Sequence, residues 1–329
     1  MVCGMSSSNA FKPPVINGVG PSTVGVPANT TLSAIDFLTS KFSAIAREEW
    51  LSRFETGQIL NAAGRVMAPQ DSLHNQSHLH YYRSIRNEPE LPFKATVIFQ
   101  DEFLVVADKP HFMPVTPGGR YVQQSLLVQL KQQLKLPELS PVHRIDRETA
   151  GLVVFSVRAK DRNAYQELFR LRQVEKTYEA IAGAPETSHL DLQFPLVHRS
   201  MMEEDSQFFR MREVAEKYLK NKGEFNSETW IDCVERQNRN DLALDKANKQ
   251  DLARYSLKPL TGQRHQLRVH MNALGLPLIG DQFYPFVKRS AEEKNLFEHP
   301  LQLLAKSISF KDPISGNQRS MNSQISLNI

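Results

Sequence analysis

An aspartate flanked by two arginines precedes an apolar run near the middle of the chain. Asp146 has Arg144 two residues before it and Arg147 directly after it, with His143 close by. Residues 151–157 (GLVVFSV) are apolar and β-branched, which predicts a buried strand, and loops beside such strands often carry functional groups. Neighbouring cations keep a desolvated carboxylate ionised, and an ionised carboxylate is a competent nucleophile. The residues by themselves allow either a nucleophilic aspartate or a loop held by salt bridges.

A tyrosine and a lysine enter a second predicted strand. Tyr178 begins a predicted strand that continues to Ala182, and Lys176 lies two residues earlier. The tyrosine offers a flat apolar ring and the lysine a positive charge to a ligand. The alternative is an ordinary half-buried tyrosine beside a solvated lysine.

A third segment places polar residues where a predicted strand turns into a predicted helix. The strand over residues 253–260 is followed by a turn at Gly262, and Gln263 and Arg264 come next. Arg268 then lies within the helix, which ends at Gly275. Arg264 is therefore expected to reach out of the turn.

The chain offers no recognisable metal-binding pattern. His265 and His270 are five residues apart, which is about 140° of helical rotation, so they do not share a face. Only Cys3 and Cys233 are present, and they lack the close spacing of a thiolate zinc site. We expect no metal and no nucleotide cofactor.

Together the three segments resemble the RluA-like pseudouridine synthases. Residues 143–152 (HRIDRETAGL) match H-R-[LI]-D-x-x-T-[SA]-G-L, residues 176–180 (KTYEA) match K-x-Y-x-A, and residues 257–270 (LKPLTGQRHQLRVH) match L-x-P-x-T-G-R-x-H-Q-[IL]-R-x-H apart from position 263. The likeness runs from about Pro92 to Lys311 and includes Gly280 and Asp281, which we expect to shape a turn. It implies an α+β fold with a mixed, mostly antiparallel sheet and flanking helices.

The resemblance also implies roles for individual residues. Asp146 corresponds to the family's nucleophile, Tyr178 to the tyrosine that lies against the target base, and Arg144 to the arginine that helps displace that base. We further expect substrate contacts from the polar residues around them, namely His143, Arg147, Lys176, Gln263 and Arg268.

One position departs from the family pattern. In the family, the arginine after Thr-Gly pairs with the nucleophile and keeps it ionised, but this chain has Gln263 there. Glutamine carries no charge, so we expect Arg264 to lie within hydrogen-bonding distance of Asp146 and to act in catalysis. The alternative is that another arginine, such as Arg144, supplies the charge.

The implied function is isomerisation of specific uridines in ribosomal or transfer RNA by base flipping and aspartate catalysis, whether at the ribose C1′ or at uracil C6. The main alternative is a non-catalytic RNA-binding protein that assists RNA folding or ribosome assembly, which Gln263 favours and Asp146 opposes. A hydrolase that uses Asp146 with His143 would lack a second well-placed carboxylate.

Charge and composition agree with an RNA partner. The net charge of the 329 residues is +4, but residues 143–178 and 254–289 carry about +3 and +5, so the remainder is close to −4. Clustered positive charge suits a polyanion, although a solvated surface explains it equally well. The sequence has no apolar run long enough to span a bilayer and no secretory signal pattern. We expect a cytoplasmic monomer, and the two cysteines indicate a reducing compartment.

The chain divides into three predicted regions. Residues 1–30 form a flexible or loosely packed leader, residues 31–87 a small α/β module, and residues 88–329 the catalytic domain. The module has two predicted helices and a short hairpin, which resembles the S4-like RNA-binding fold; the alternative is a structural cap. Its basic residues Lys41, Arg47 and Arg53 are candidates for phosphate contacts. The polar stretch from 201 to 250 is predicted to be a solvated hairpin or an insertion.

Overall fold

The computed structural model describes residues 11, 13–83, 88–206, 209–219, 221, 223–237, 251–288 and 297–327. Two compact units divide the chain: the smaller comprises Met1–Pro89, Pro117–Gln123 and Val128–Pro137, and the larger comprises the rest. The predicted catalytic domain therefore gives two pieces to the smaller unit. The predicted boundary at residues 87 and 88 adjoins residues outside the described ranges.

The smaller unit has a three-stranded antiparallel sheet and two helices. Its elements are β1 (Ser22–Gly25), α1 (Ala34–Lys41), α2 (Arg47–Glu55), β2 (Ile59–Asn61) and β3 (His78–Tyr81), with sheet order β1-β3-β2. Ser33 caps α1, because its side chain accepts from the backbone N–H of Asp36. Apolar residues of α1 and α2 at helical spacing pack on the sheet in one buried cluster, including Leu38 and Trp50.

This unit confirms the two predicted helices and corrects two other expectations. Residues 1–30 were predicted to be a flexible or loosely packed leader, but β1 lies within them and pairs with β3. Residues 1–10 and 12 lie outside the described ranges. Arg53 is 5% exposed, with its guanidinium over the ring of Trp50, so it is not placed to contact phosphate. Whether this unit is an S4-like RNA-binding module remains a prediction.

The larger unit is built on a mixed sheet of ten strands among the described residues. Its path is β4-β5-β7-β14-β8-β13-β12-β9, with β6 beside β7 and β15 beside β14. All pairings are antiparallel except β7 with β14. The strands are β4 (Thr96–Gln100), β5 (Leu104–Lys109), β6 (Ser140–Pro141), β7 (Ala150–Ser156), β8 (Glu175–Gly183), β9 (Leu196–Ser200), β12 (Ser227–Gln237), β13 (Leu252–Pro259), β14 (Leu303–Lys311) and β15 (Gln318–Asn322). The predicted α+β class with a mostly antiparallel sheet is confirmed.

Short elements complete the described chain. The antiparallel pair β10 (Met202–Glu204) and β11 (Met211–Glu213) forms a hairpin apart from the main sheet. The helices are α3 (Leu126–Leu134), α4 (Arg162–Arg170) and α5 (Gln266–Ala273), with single 3-10 turns at Pro185–Thr187 and Glu216–Tyr218. No helix among the described residues has the length and apolar character needed to cross a bilayer.

The predicted insertion at 201–250 is wrong in part. Its first half contains the β10–β11 hairpin, but β12 follows and pairs with both β9 and β13 in the main sheet. The buried positions at the start of β12 are Ser227, Thr229 and Ile231, so its inward face is largely polar and gives no hydrophobic alternation. Residues 238–250 lie outside the described ranges.

Candidate active site

Asp146 lies in the loop that leads into β7. Its backbone carbonyl accepts a hydrogen bond from Thr149 N–H at 3.2 Å, which closes a turn just before the strand. At the strand entrance Gly151 has φ +108°, and a Cβ there would clash with the backbone of Ala305. Only glycine therefore allows β7 and β14 to approach this closely. This close pairing fixes the strand that the Asp146 loop joins.

Arg268, in the first turn of α5, joins two carboxylates. Its Nη1 donates to Asp146 Oδ2 at 3.1 Å, and its Nε and Nη2 donate to the two oxygens of Asp281, each at 2.8 Å. The Arg268 side chain is 1% exposed and that of Asp281 is fully buried, whereas that of Asp146 is 25% exposed. The arrangement holds a buried cation against one accessible carboxylate.

The structure corrects the predicted role of Arg264. This side chain is 41% exposed and its Nη1 lies 3.3 Å from Glu204 on the β10–β11 hairpin. The physical reason is the backbone turn before α5. His265 has φ +56° and caps the helix, so Arg264 precedes the turn and faces the hairpin while Arg268 faces inward. The motif register over residues 265–268 is thus kept, and Arg268 rather than Arg264 pairs with Asp146.

Opposing influences set the ionisation of Asp146. Burial raises the pKa of this carboxyl, but His265, Arg268 and Lys109 more than offset that effect, so the pKa lies below its ordinary value. Burial also lowers the pKa of His265, whereas the Arg268 guanidinium stays charged and donates directly to Asp146. The geometry provides an ionised, partly accessible carboxylate, as a nucleophile requires.

A family model described as RNA pseudouridylate synthase matches residues 103–273, just over half of the chain. The chain belongs to the RNA pseudouridine synthase family. The dual-specificity RNA pseudouridine synthase RluA of Salmonella typhi is 30% identical over 232 residues, covering 70% of this chain and 93% of that protein. An uncharacterized RNA pseudouridine synthase of Synechocystis is 28% identical over 253 residues, covering 76% and 78%. The predicted RluA-like family is confirmed.

Solved structures agree with this assignment. The human RNA pseudouridylate synthase domain containing 4 is 25% identical with a TM-score of 0.51, covering 70% of this chain and 88% of that one. The human domain containing 1 has a TM-score of 0.53 at 20% identity, covering 72% and 86%, and supports the fold. The predicted enzyme class, an RNA pseudouridine synthase, is confirmed by the family and by these relatives together.

Tyr178 and Lys176 lie on β8, next to the site strand β14. Tyr178 pairs with Ala305 of β14 and Leu257 of β13. Burial and, second, the charge of Asp146 raise the pKa of its phenol, so the hydroxyl stays protonated at neutral pH. Burial lowers the pKa of Lys176. Tyr178 lies on a strand, as predicted, and its contact with a base remains a proposal.

The remaining predicted contacts fall into two groups. Arg144 and Gln263 are exposed and are accessible to RNA. Arg147 is instead directed to its neighbour Glu148, with Nη2 2.9 Å from that carboxylate. His143 Nε2 accepts from Val154 N–H at 3.1 Å, and burial lowers its pKa to about 3. His143 is thus a neutral group that fixes the loop to β7.

Arg268 was predicted to contact substrate, but all three of its guanidinium nitrogens are occupied by Asp146 and Asp281. Asp281 was expected to be structural, and its carboxylate also accepts from two backbone N–H groups, those of Phe283 and Tyr284. Its role is to hold the arginine that faces Asp146.

Three residues of the site were given no role there from the sequence. Lys109, at the end of β5, donates to the carbonyl of Arg147 at 3.0 Å, and His111 Nδ1 lies 2.7 Å from the Glu148 carbonyl, so both hold the segment after Asp146. His265 Nε2 lies 3.9 Å from Asp146 Oδ2. A lysine directly before proline at a strand end was the available signal for Lys109, and for His265 it was the fixed histidine of the third family motif.

Proposed function

We propose that the synthase isomerises specific uridines of ribosomal or transfer RNA with Asp146 as the nucleophile. The observation that carries this proposal is the ion pair between the buried Arg268 and the accessible Asp146. A desolvated carboxylate loses its charge unless a cation stabilises it. Arg268 supplies that cation and leaves one side of the carboxylate free to meet a base.

The reaction exchanges one bond for another within a single nucleotide. The bond between uracil N1 and ribose C1′ breaks, the base turns, and a bond forms between C5 and C1′. The proton on C5 is released and N1 gains one, so oxidation states balance without an external reductant or oxidant. Asp146 would assist by adding to C1′ or to C6 and leaving again once the base has turned.

The target uridine must leave its stack before Asp146 can reach it. Arg144 is exposed in the same loop as Asp146, which supports a role in displacing the base and filling the space it leaves. Tyr178 presents a neutral ring near the carboxylate, which supports stacking on the flipped uracil. We also propose that the enzyme works as a monomer in the cytoplasm.

The non-catalytic alternative depended on the missing charge at Gln263. With Arg268 paired to Asp146, a cation is present beside the carboxylate and that argument loses its basis. The catalytic proposal is therefore favoured.

The substrate is tested with transcripts that carry tritium at uracil C5, since forming the new bond releases that hydrogen to water. Ribosomal RNA, transfer RNA and a messenger control are incubated with the purified full chain, and the modified positions are then mapped. We expect tritium release from ribosomal RNA, transfer RNA or both, at defined uridines. If the protein bound these RNAs but released tritium from none of them, the non-catalytic alternative would be favoured.

A further inference from the structure

Two imidazoles and a carboxylate from three separate elements meet on the side of α5. They are His198 of β9, Glu213 of β11 and His270 of α5, and their ligand atoms all lie within 4.8 Å of one another. We propose that these three residues bind a divalent transition-metal ion of the zinc class. Two imidazoles with one carboxylate form a ligand set that zinc accepts, with further positions open to water.

The distances permit a common centre. His198 Nε2 lies 2.8 Å and His270 Nε2 lies 4.0 Å from Glu213 Oε1. Ligand atoms about 2.1 Å from a tetrahedral zinc ion lie about 3.4 Å apart, so the widest separation in the set has to shrink by up to roughly 1.4 Å. That movement is within reach of side-chain rotation in His198 and Glu213, which are 21% and 24% exposed.

Neighbouring hydroxyls supply the outer contacts that metal-binding histidines usually have. His270 Nδ1 lies 3.0 Å from Thr229 Oγ1; a proton on Nδ1 that is donated to this hydroxyl leaves the Nε2 lone pair for the ion. The hydroxyl oxygens of Ser200 and Ser227 lie 3.2 and 2.9 Å from His270 Nε2. They can accept hydrogen bonds from a water bound to the ion.

The burial of the three ligands agrees with this geometry. The His270 side chain is fully buried, whereas those of His198 and Glu213 are partly exposed. Glu213 adds a carboxylate oxygen to the two imidazole nitrogens of the set. The partial exposure of His198 and Glu213 gives the ion an entry path.

The position on α5 indicates a structural role. Arg268 and His270 are two residues apart, which is about 200° around a helix, so they point in nearly opposite directions. The ion would therefore lie across α5 from Asp146 and would join the β10–β11 hairpin and β9 to the helix that carries Arg268. It belongs to the framework of the site and takes no part in bond formation.

The test uses the full chain after chelation and dialysis, titrated with zinc chloride and monitored by calorimetry and thermal unfolding. We expect one ion per chain and a rise in Tm, because a ligand that binds only the folded state stabilises it. His198→Ala and Glu213→Gln should each weaken binding at least about tenfold. Cobalt substitution should give visible absorption bands that both variants lose.

The matched control is the histidine pair His78 and His80 on β3. Their ring centroids are 4.7 Å apart, the same separation as between His198 and His270. His78→Ala should leave the stoichiometry and affinity unchanged. Circular dichroism of each metal-free variant verifies folding. Because two ligands are substituted separately, the test still works if one of the two variants does not fold. Absence of saturable zinc binding, or binding that survives both His198→Ala and Glu213→Gln, would overturn the site.

Discussion

Nη1 of Arg268 lies 3.1 Å from Oδ2 of Asp146, while the other two nitrogens of the same guanidinium are held by Asp281 at 2.8 Å each. One buried cation is thus positioned by a fully buried carboxylate and presented to an accessible one. The geometry separates the residue that keeps Asp146 ionised from the exposed residues that can meet RNA.

Separate substitutions of Arg268 and Arg264 test which of the two arginines supports Asp146. Arg268→Lys should lower kcat at least about 100-fold, since a lysine cannot bridge both carboxylates and a preorganised charge contact at a reacting group is worth that much. Arg264→Ala should cost less than about fivefold, because its pair with Glu204 is exposed and worth about 1 kcal/mol or less. Steady-state kinetics on one RNA substrate give both values. If kcat fell further in Arg264→Ala than in Arg268→Lys, the assignment of the two arginines would be reversed.

Removing the anchor of Arg268 should lower the stability of the folded protein. Asp281→Asn breaks a buried pair, and we expect the free energy of unfolding to fall by about 3 kcal/mol, the lower end for such a change because Asp146 still faces the arginine. Urea unfolding measures the change. Glu203→Gln is the control, because its pair with Arg212 is exposed and should contribute less than about 1 kcal/mol. Equal losses in the two variants would show that Asp281 has no special role.

Local patterns predicted the elements that depend on near neighbours. The helical spacing of Ile35 and Leu38 and the apolar run after Gly151 correctly placed α1 and β7. Helix and strand periodicity is recorded directly in a sequence. The expectation that Asp146 lies beside the start of α5 came from the resemblance to the family, and it named Arg264 rather than Arg268 as the partner.

Features that depend on distant contacts were not predictable in this way. The left-handed conformation of His265 decides that Arg264 faces the hairpin, and no residue in the motif signals it. The polar inward positions Ser227 and Thr229 hid β12, because their hydrogen bonds satisfy burial in place of apolar packing. The grouping of His270 with Glu213 required the strand order of the whole unit.

The buried Lys109 should give the stability a distinctive pH dependence. Burial lowers its folded pKa from 10.5 to about 7. Between these values the unfolded chain binds more protons than the folded one, so the free energy of unfolding contributed by this group rises with pH. The free energy of unfolding of the wild-type protein, taken relative to that of Lys109→Met, should therefore rise by about 2 kcal/mol from about pH 7 to about pH 9. Denaturant titrations at both values measure it; a constant difference would contradict the shifted pKa.

The smaller unit is tested through its exposed cations. If it binds RNA, the double variant Lys41→Ala, Arg47→Ala should reduce the slope of log affinity against log salt by roughly 0.7 to 0.9 for each phosphate that the protein no longer neutralises. Arg47 pairs with Asp36 at 2.7 Å, so Asp36→Asn should strengthen binding instead. Filter binding over a range of salt concentrations measures both. Unchanged slopes in the double variant would leave this unit as a structural cap.

Pseudouridine formation by Asp146→Asn is the most direct test of the proposed nucleophile. Asparagine keeps the shape of the side chain and can still contact Arg268, but it removes the nucleophilic charge. We predict that the variant folds, binds RNA with an affinity close to that of the wild-type protein, and forms no pseudouridine at the mapped positions. Turnover by Asp146→Asn at a rate near that of the wild-type protein would contradict the assignment of Asp146.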